Sequence, residues 1–271
     1  MKGVFMFDIT TPKYTRTGTE KTIQDVVTPD RRNLSYSGLS IEDIQAGFLQ
    51  AEKTLSPNVP QTVKERLVVA KNVAIYGWFS YELYTVSLFW ALTTVEMALK
   101  HKFYQINPPP HQITKNEKSK NISASFDILE KYLRKGWHLI SLPYFNGSFR
   151  SLLEWAVDKN HIPANTKIIL QEIAHSFNNR FIIEIFPEES RKKGLPLSDN
   201  PTLEDITKLW SSLSDKEKRE FQYNNAQILI EEIPKLRNEL AHPETVNWIL
   251  PPRSAIDGYW QVVEILNHLW P

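Results

Sequence analysis

The sequence predicts an all-α fold, a helical bundle preceded by an irregular N-terminal extension. Three observations carry this reading. From residue 40 onward, apolar residues recur at three- and four-residue spacing, the period of a helix with one buried face. Capping residues and prolines stand where such helices would begin and end. Glycine is scarce, 9 residues in 271, which leaves little material for tight hairpins.

Residues 1–38 show no helical period and read as an extension or arm. Val4-Phe5-Met6-Phe7 is a candidate short strand, and Pro12, Pro29 and Arg31-Arg32 interrupt the rest of the arm. Residues 39–271 read as a single α-helical domain. Ser40 with Asp43 resembles a capping arrangement, followed by Ile41, Ile44, Phe48 and Leu49 at helical spacing. Pro60 opens a second helix carrying Val63, Leu67, Val68 and Val69. One long helix is expected from about Val73 to Tyr104, roughly 45 Å at 1.5 Å per residue, ending before Pro108-Pro109-Pro110. His111 to Lys120 reads as a polar loop. Helices follow over Phe126–Lys135, over Phe149–Asn160 with Leu152, Leu153, Trp155 and Ala156, and over Asn165–Ile185. Pro187 to Pro201, with its charge run at 188–193, reads as a solvated connection. Ser214 and Glu217 form a second capping box, opening a helix toward Ala241 that Pro234 should kink. Ile256–Leu269 closes the chain, and no internal repeat is visible.

Composition excludes several classes of function. Hydrophobic residues make up 41% and charged residues 23%, a globular balance that argues against disorder over most of the length. Lys+Arg number 32 against 31 Asp+Glu, so nucleic acid cannot be held by bulk charge and would need a local patch. Cysteine is absent, which removes disulfides, thiolate metal sites and cysteine nucleophiles and fits a cytoplasmic location. No G-x-G-x-x-G or G-x-x-x-x-G-K-[ST] phosphate loop occurs. Met1 to Asp30 has no continuous apolar core of a secretory signal. The most apolar run, Leu83 to Val95, has 13 uncharged residues, well short of the roughly 20 that span a bilayer.

The informative stretch is Leu236-Arg237-Asn238-Glu239-Leu240-Ala241-His242-Pro243. Asn238 and His242 are four apart and share one helical face. Arg237 is turned about 100° away, which suits reaching toward a partner chain or a bound phosphate. Pro243 disfavours helix at His242, so the helix should stop there. An imidazole is the side chain that exchanges a proton near neutral pH. Each residue also has a structural reading. Arg237 can pair with Glu231, Glu232 or Glu239, and His242 can cap the last carbonyls. Glu96, which interrupts an apolar helix face at Val86–Phe103, can be a salt bridge at the edge of the core.

This stretch resembles the HEPN superfamily, whose motif is Arg-polar-x-x-x-His near the end of a late helix in an α-bundle. The family's earlier long helix with an inward-facing polar residue is similar to Val86–Phe103 with Glu96. The resemblance spans Gly77–Leu269, leaves out the N-terminal arm, and makes residues 39–271 a HEPN-like bundle with additional helices. It implies a metal-independent endoribonuclease needing no cofactor. His242 would deprotonate the ribose 2′-OH, and Arg237 would stabilise the charge on the pentacoordinate phosphate. Asn238 would orient the imidazole or bind phosphate, Glu96 would give polar support, and the ends would be a 2′,3′-cyclic phosphate and a 5′-OH. It also implies a homodimer with the motif at the interface, and a toxin–antitoxin, phage-defence or RNA-processing role with an antitoxin or regulatory protein as partner. The alternatives are a non-catalytic HEPN-like module binding RNA or a protein, and a plain helical interaction domain.

Other constellations are poorer. Glu172-x-x-His175 has the spacing of di-iron bundles, but no second Glu-x-x-His accompanies it. Asp158-x-x-His161 stands at a helix end just before Pro163, and no metal site is expected. No G-x-S-x-G nucleophile elbow occurs. Candidate RNA contacts are Lys131, Arg134 and Lys135 on a helix end. Lys115, Lys118 and Lys120 in one loop and Arg191–Lys193 in another are further basic clusters. Trp137 and Tyr144 are aromatics able to stack on bases.

Overall fold

The computed structural model describes residues 27–33, 38–198, 201–214, 217–218, 221, 225–242 and 250–271. The expected strand at Val4–Phe7 lies outside the described residues. Ser40 caps α1 (Ile41–Thr54) reciprocally: its hydroxyl accepts from the Asp43 N–H at 3.1 Å, and Asp43 accepts from the Ser40 N–H at 2.9 Å. Ile44, Phe48 and Ala51 are buried on this helix, while Leu49 faces out. Pro60 opens α2 (Gln61–Tyr76), with Val63 and Leu67 buried and Val68 and Val69 exposed.

The single helix expected over Val73–Tyr104 is two helices. Helix α2 ends at Tyr76, and α3 runs Leu83–Ile106 over 24 residues. The break has a tertiary cause. Asn33 donates through Nδ2 to the carbonyls of Gly77 (3.1 Å) and Trp78 (2.9 Å), and the Asp30 N–H donates to Trp78 O at 2.9 Å. These bonds satisfy carbonyls that a continuing helix would have used internally. Gly77 also lets the buried Tyr84 ring come close: a Cβ there would lie 2.6 Å from it. Tyr84 closes the joint by donating its hydroxyl to Asn33 Oδ1 at 3.0 Å. Residues 30–33, placed by sequence in the extension, are therefore docked against this turn. The two helices run antiparallel, with Ser87 Oγ bonded to Ala70 O at 2.7 Å and Arg66 over the Trp90 ring at 5.2 Å.

The expected loop at His111–Lys120 is a β-hairpin, so the fold is mostly helical rather than all-α. Strand β1 (His111–Lys115) pairs antiparallel with β2 (Lys118–Ile122), placing Lys115 opposite Lys118 and Ile113 opposite Lys120. Asn116 and Glu117 make the two-residue turn, both at positive φ (46° and 65°), the geometry that matches strand twist and usually recruits glycine. His111 and Ile113 face the core while most of β2 is exposed. After α4 (Phe126–Leu133), β3 (His138–Leu139) pairs with β1, giving strand order β2-β1-β3.

Helix α5 (Phe149–Asp158) buries Leu152, Leu153, Trp155 and Ala156, as its spacing predicts. The helix expected from Asn165 starts later, as α6 (Gln171–Arg180), because the Ile169 and Leu170 N–H groups bond instead to Gln261 Oε1 at 2.7 and 3.3 Å. It continues through a π-helical turn, Phe181–Ile185, into α7 (Phe186–Lys192), so the first part of the expected solvated connection is helical. There Lys192 pairs with Glu188 and Glu189, both at 3.0 Å. Helix α8 (Leu203–Ser212) was not expected; Thr202 and Asp205 cap it as Ser40 and Asp43 cap α1. The Ser214–Glu217 capping box forms as read, but Phe221 sits in a turn, and α9 (Asn225–Ala241) starts only afterwards and passes through Pro234. The closing helix α10 (Pro252–Leu269) starts four residues early, with proline in its first turn.

Helix α3 is the centre of the main core, packed by α2, α10, α9 and α5. A second, aromatic core gathers Phe177, Phe181, Phe186, Ile206 and Phe221 around Trp210. Among the described residues, no helix is long and apolar enough to cross a membrane.

Candidate active site

Helix α9 buries Leu229, Ile230, Ile233, Leu236 and Leu240 at helical spacing, and this stripe lays it against α3, α5 and α6. Leu236 and Leu240 are buried on either side of Arg237 in the sequence, so the direction of Arg237 is fixed by their packing. The helix ends at Ala241, as expected, and the His242 N–H keeps a last helical bond to Asn238 O at 3.1 Å. Asn238 and His242 are exposed.

Arg237 does not reach outward as its helical angle suggested. It lies against α3, where Nη2 donates to Glu96 Oε2 at 2.7 Å. Nη1 donates to Asn238 Oδ1 at 3.1 Å, and the guanidinium carbon stands 6.0 Å from the Phe89 ring centre. The expected partners on its own helix are engaged elsewhere or unused: Glu231 pairs with Arg150 (2.7 Å) and Glu232 with Arg180 (3.0 Å). Arg237 Nε is buried without a hydrogen-bond acceptor among the described residues. Glu96, the residue that interrupts the α3 apolar face, is thus brought to the motif across 141 positions of sequence.

The sequence reading missed two further members of this group. Glu96 Oε1 pairs with Lys100 Nζ at 3.1 Å, and Lys100 also pairs with Glu130 on α4 at 3.1 Å. Glu130 in turn accepts from Arg134 at 3.0 Å (Nε) and 2.5 Å (Nη2). The result is an unbroken alternation, Arg237–Glu96–Lys100–Glu130–Arg134, along three helices. Burial works against ionisation of Glu130, but hydrogen bonds from Lys100 and Arg134 outweigh it and hold the carboxyl below its ordinary range. Burial likewise opposes the charge on Lys100, and the charges of Glu96 and Glu130 raise it above the ordinary lysine value. The i,i+4 spacings Glu96/Lys100 and Glu130/Arg134 were the available signals. Nothing local joined the two pairs.

Of the expected RNA contacts, Arg134 is drawn into this chain of charges, while Lys131 and Lys135 are exposed on and just beyond α4. Trp137 packs edge-on to Tyr132 with ring centres 6.0 Å apart, and Tyr144 is almost wholly exposed. Glu172 accepts a hydrogen bond from Ser254, and His161 packs on Trp155 with ring centres 5.3 Å apart. Among the described residues, no group of three or more His, Asp and Glu side chains is placed to hold a metal ion. Two surface concavities, one between Leu142–Phe145 and α5 and one between Pro196–Ser198 and α8, include no motif residue.

No family model, curated protein or solved structure matches this chain.

Proposed function

We propose that this protein is a metal-independent endoribonuclease of the HEPN type, acting in the cytoplasm as a homodimer. The observation that carries the reading is the 2.7 Å contact of Arg237 with Glu96, which joins the two elements that the family resemblance picks out separately. In this mechanism His242 takes the proton of a ribose 2′-OH as general base. The alkoxide attacks the adjacent phosphorus, the P–O5′ bond breaks, the 5′-oxygen takes a proton from water while His242 returns its own to solvent, and the products are a 2′,3′-cyclic phosphate and a 5′-OH. Arg237 stabilises the charge on the phosphorane oxygens. A guanidinium has five N–H donors; Glu96 and Asn238 occupy two of them and fix its plane, and the side chain keeps 28% exposure for a phosphate to approach. Exposed His242 and a site outside both concavities fit a cleft completed by a second chain. A toxin or phage-defence role, restrained by an antitoxin, is the setting such an activity suits.

One observation favours a second reading, a non-catalytic HEPN-like module that binds RNA or a protein. The guanidinium already has two partners, so its role can be to hold α9 on α3. Incubating pure protein with total RNA in EDTA, alongside Arg237→Ala and His242→Ala, separates the two. The ribonuclease reading expects cleavage by wild type and loss in both variants. Retained RNA binding with no cleavage by any of the three samples would establish the second reading instead.

A further inference from the structure

The β-hairpin joins two basic clusters that are separate in sequence. Successive strand residues alternate faces, so Lys118 and Lys120 lie on one face of β2, together with Lys115 directly opposite Lys118 on β1. That face turns toward α4. Lys120 Nζ donates to the Tyr132 hydroxyl at 2.7 Å and stands 4.6 Å over its ring. Lys115 Nζ donates to the carbonyl of Lys135, beyond the end of α4. The Tyr132 hydroxyl is held below its ordinary range by the hydrogen bond and charge of Lys120, with a smaller part from Lys135. Lys120 and Lys135 therefore both act on Tyr132, Lys115 reaches Lys135 and faces Lys118 across the hairpin, and half-buried Trp137 packs edge-on to the same tyrosine. Lys118 and Lys135 make no ion pair among the described residues.

Two features show that this arrangement is more than a solvated face. Like charges directly opposite one another in a ladder are unfavourable, yet Lys115 faces Lys118. Lysines on the edge strand β2 guard against strand addition, but that explanation does not reach Lys115 on the central strand or Lys135 beyond α4. A bound anion would offset the repulsion between Lys115 and Lys118. The whole chain is nearly neutral, 32 Lys+Arg against 31 Asp+Glu, so this concentration is local.

We propose that the face formed by the β1–β2 hairpin and the C-terminal end of α4 docks the phosphate backbone of single-stranded RNA, with Trp137 as a stacking platform for a base. The proposal rests on the reading of the protein as a ribonuclease, for which this face holds substrate RNA. RNA is favoured over an acidic protein because an aromatic ring borders the lysines, as in surfaces that take unstacked bases.

The test measures binding of full-length protein to a fluorescent 2′-O-methyl RNA, which lacks the attacking hydroxyl and cannot be cleaved by the proposed chemistry. Wild type is compared with Lys115→Ala/Lys118→Ala/Lys120→Ala and with a control, Lys53→Ala/Lys167→Ala/Lys208→Ala, across a salt series. Each phosphate contact contributes about 0.7 to the slope of log K against log salt for single strands. The hairpin variant should therefore lose about 2 of that slope, and the control none. Trp137→Ala should weaken binding by about tenfold. Circular dichroism melting identifies variants that fail to fold, and Lys118→Glu, at an exposed position, replaces the triple if that occurs. Unchanged affinity and slope in a folded hairpin variant would overturn the proposal while leaving RNA cleavage at Arg237 and His242 intact. Equal affinity of wild type for polyglutamate of matched charge would also overturn it, in favour of an acidic protein partner. Hairpin-dependent RNA binding without any cleavage would support this surface and count against the ribonuclease reading alone.

Discussion

Replacing Glu96 with glutamine removes the charge that Arg237 and Lys100 share. The carboxylate receives Arg237 at 2.7 Å and Lys100 at 3.1 Å, and its side chain is 13% exposed against 28% for Arg237. A fully exposed pair would contribute about 0.2–1 kcal/mol, and breaking a fully buried one would cost about 3–5 kcal/mol. This pair lies between those limits, and a hydrogen bond to a charged group contributes about 1.5–3 kcal/mol. Lys100 keeps Glu130 at 3.1 Å, whereas Arg237 loses its only carboxylate among the described residues and already has a buried Nε without an acceptor among them. We therefore expect a coupling of about 2 kcal/mol between Glu96 and Arg237. The assay is a double-mutant cycle of Glu96→Gln and Arg237→Met, followed by urea denaturation through tryptophan fluorescence. A coupling below about 0.5 kcal/mol, the level of an exposed pair, would refute the claim that Glu96 positions Arg237.

Three further outcomes are expected from the same geometry. Gly77→Ala should destabilise by about 1–3 kcal/mol through overpacking, because its Cβ would stand 2.6 Å from the buried Tyr84 ring; an unchanged melting temperature would contradict the account of the α2–α3 break. Glu232→Ala removes a carboxylate with 2% exposure from Arg180 at 3.0 Å and Ser176 at 2.7 Å, and should cost about 3 kcal/mol in a urea titration. The third concerns acid stability. The folded-state pKa of Glu130 is depressed, so its contribution is fully present above the unfolded value of about 4.3 and is lost as pH falls through the folded value. Below about pH 4.3 the unfolded chain binds more protons at this position, and stability falls with it. Glu130→Gln should be less stable than wild type at neutral pH, and the difference should shrink on acidification; a difference constant from pH 7 to pH 3 would sink this assignment.

What was legible in the sequence is what is encoded locally. The Ser40–Asp43 and Ser214–Glu217 caps depend on residues three apart, and both form as read. The apolar faces of α5 and α10 arise from their spacing for the same reason. The break between α2 and α3 was not legible, because Asn33 and Asp30, more than 40 positions upstream, accomplish it. The hairpin was hidden by its chemistry: β2 exposes lysines on a strand with little buried face, and its turn uses Asn116-Glu117 where glycine would have announced it. Helix α8 was overlooked although Thr202 and Asp205 repeat the pattern recognised at Ser40 and Asp43. The site divides in the same way. The stretch around Arg237, Asn238 and His242 is contiguous and visible, and Glu96 stood out as an acid on an apolar face. That Arg237 turns inward to Glu96, and that Lys100 and Glu130 extend the contact, depends on how α9 and α4 pack on α3.

The central claim is that His242 and Arg237 cleave RNA through its own 2′-OH. The direct measurement uses a defined RNA oligonucleotide, the same strand with one 2′-deoxy substitution at the mapped cleavage position, and analysis of the product ends by mass spectrometry. The account predicts 2′,3′-cyclic phosphate and 5′-OH ends from wild type, no cleavage at the deoxy position, and loss of product with His242→Ala. Cleavage that persists at the deoxy position, leaves 5′-phosphate ends, or is undiminished in His242→Ala would contradict it.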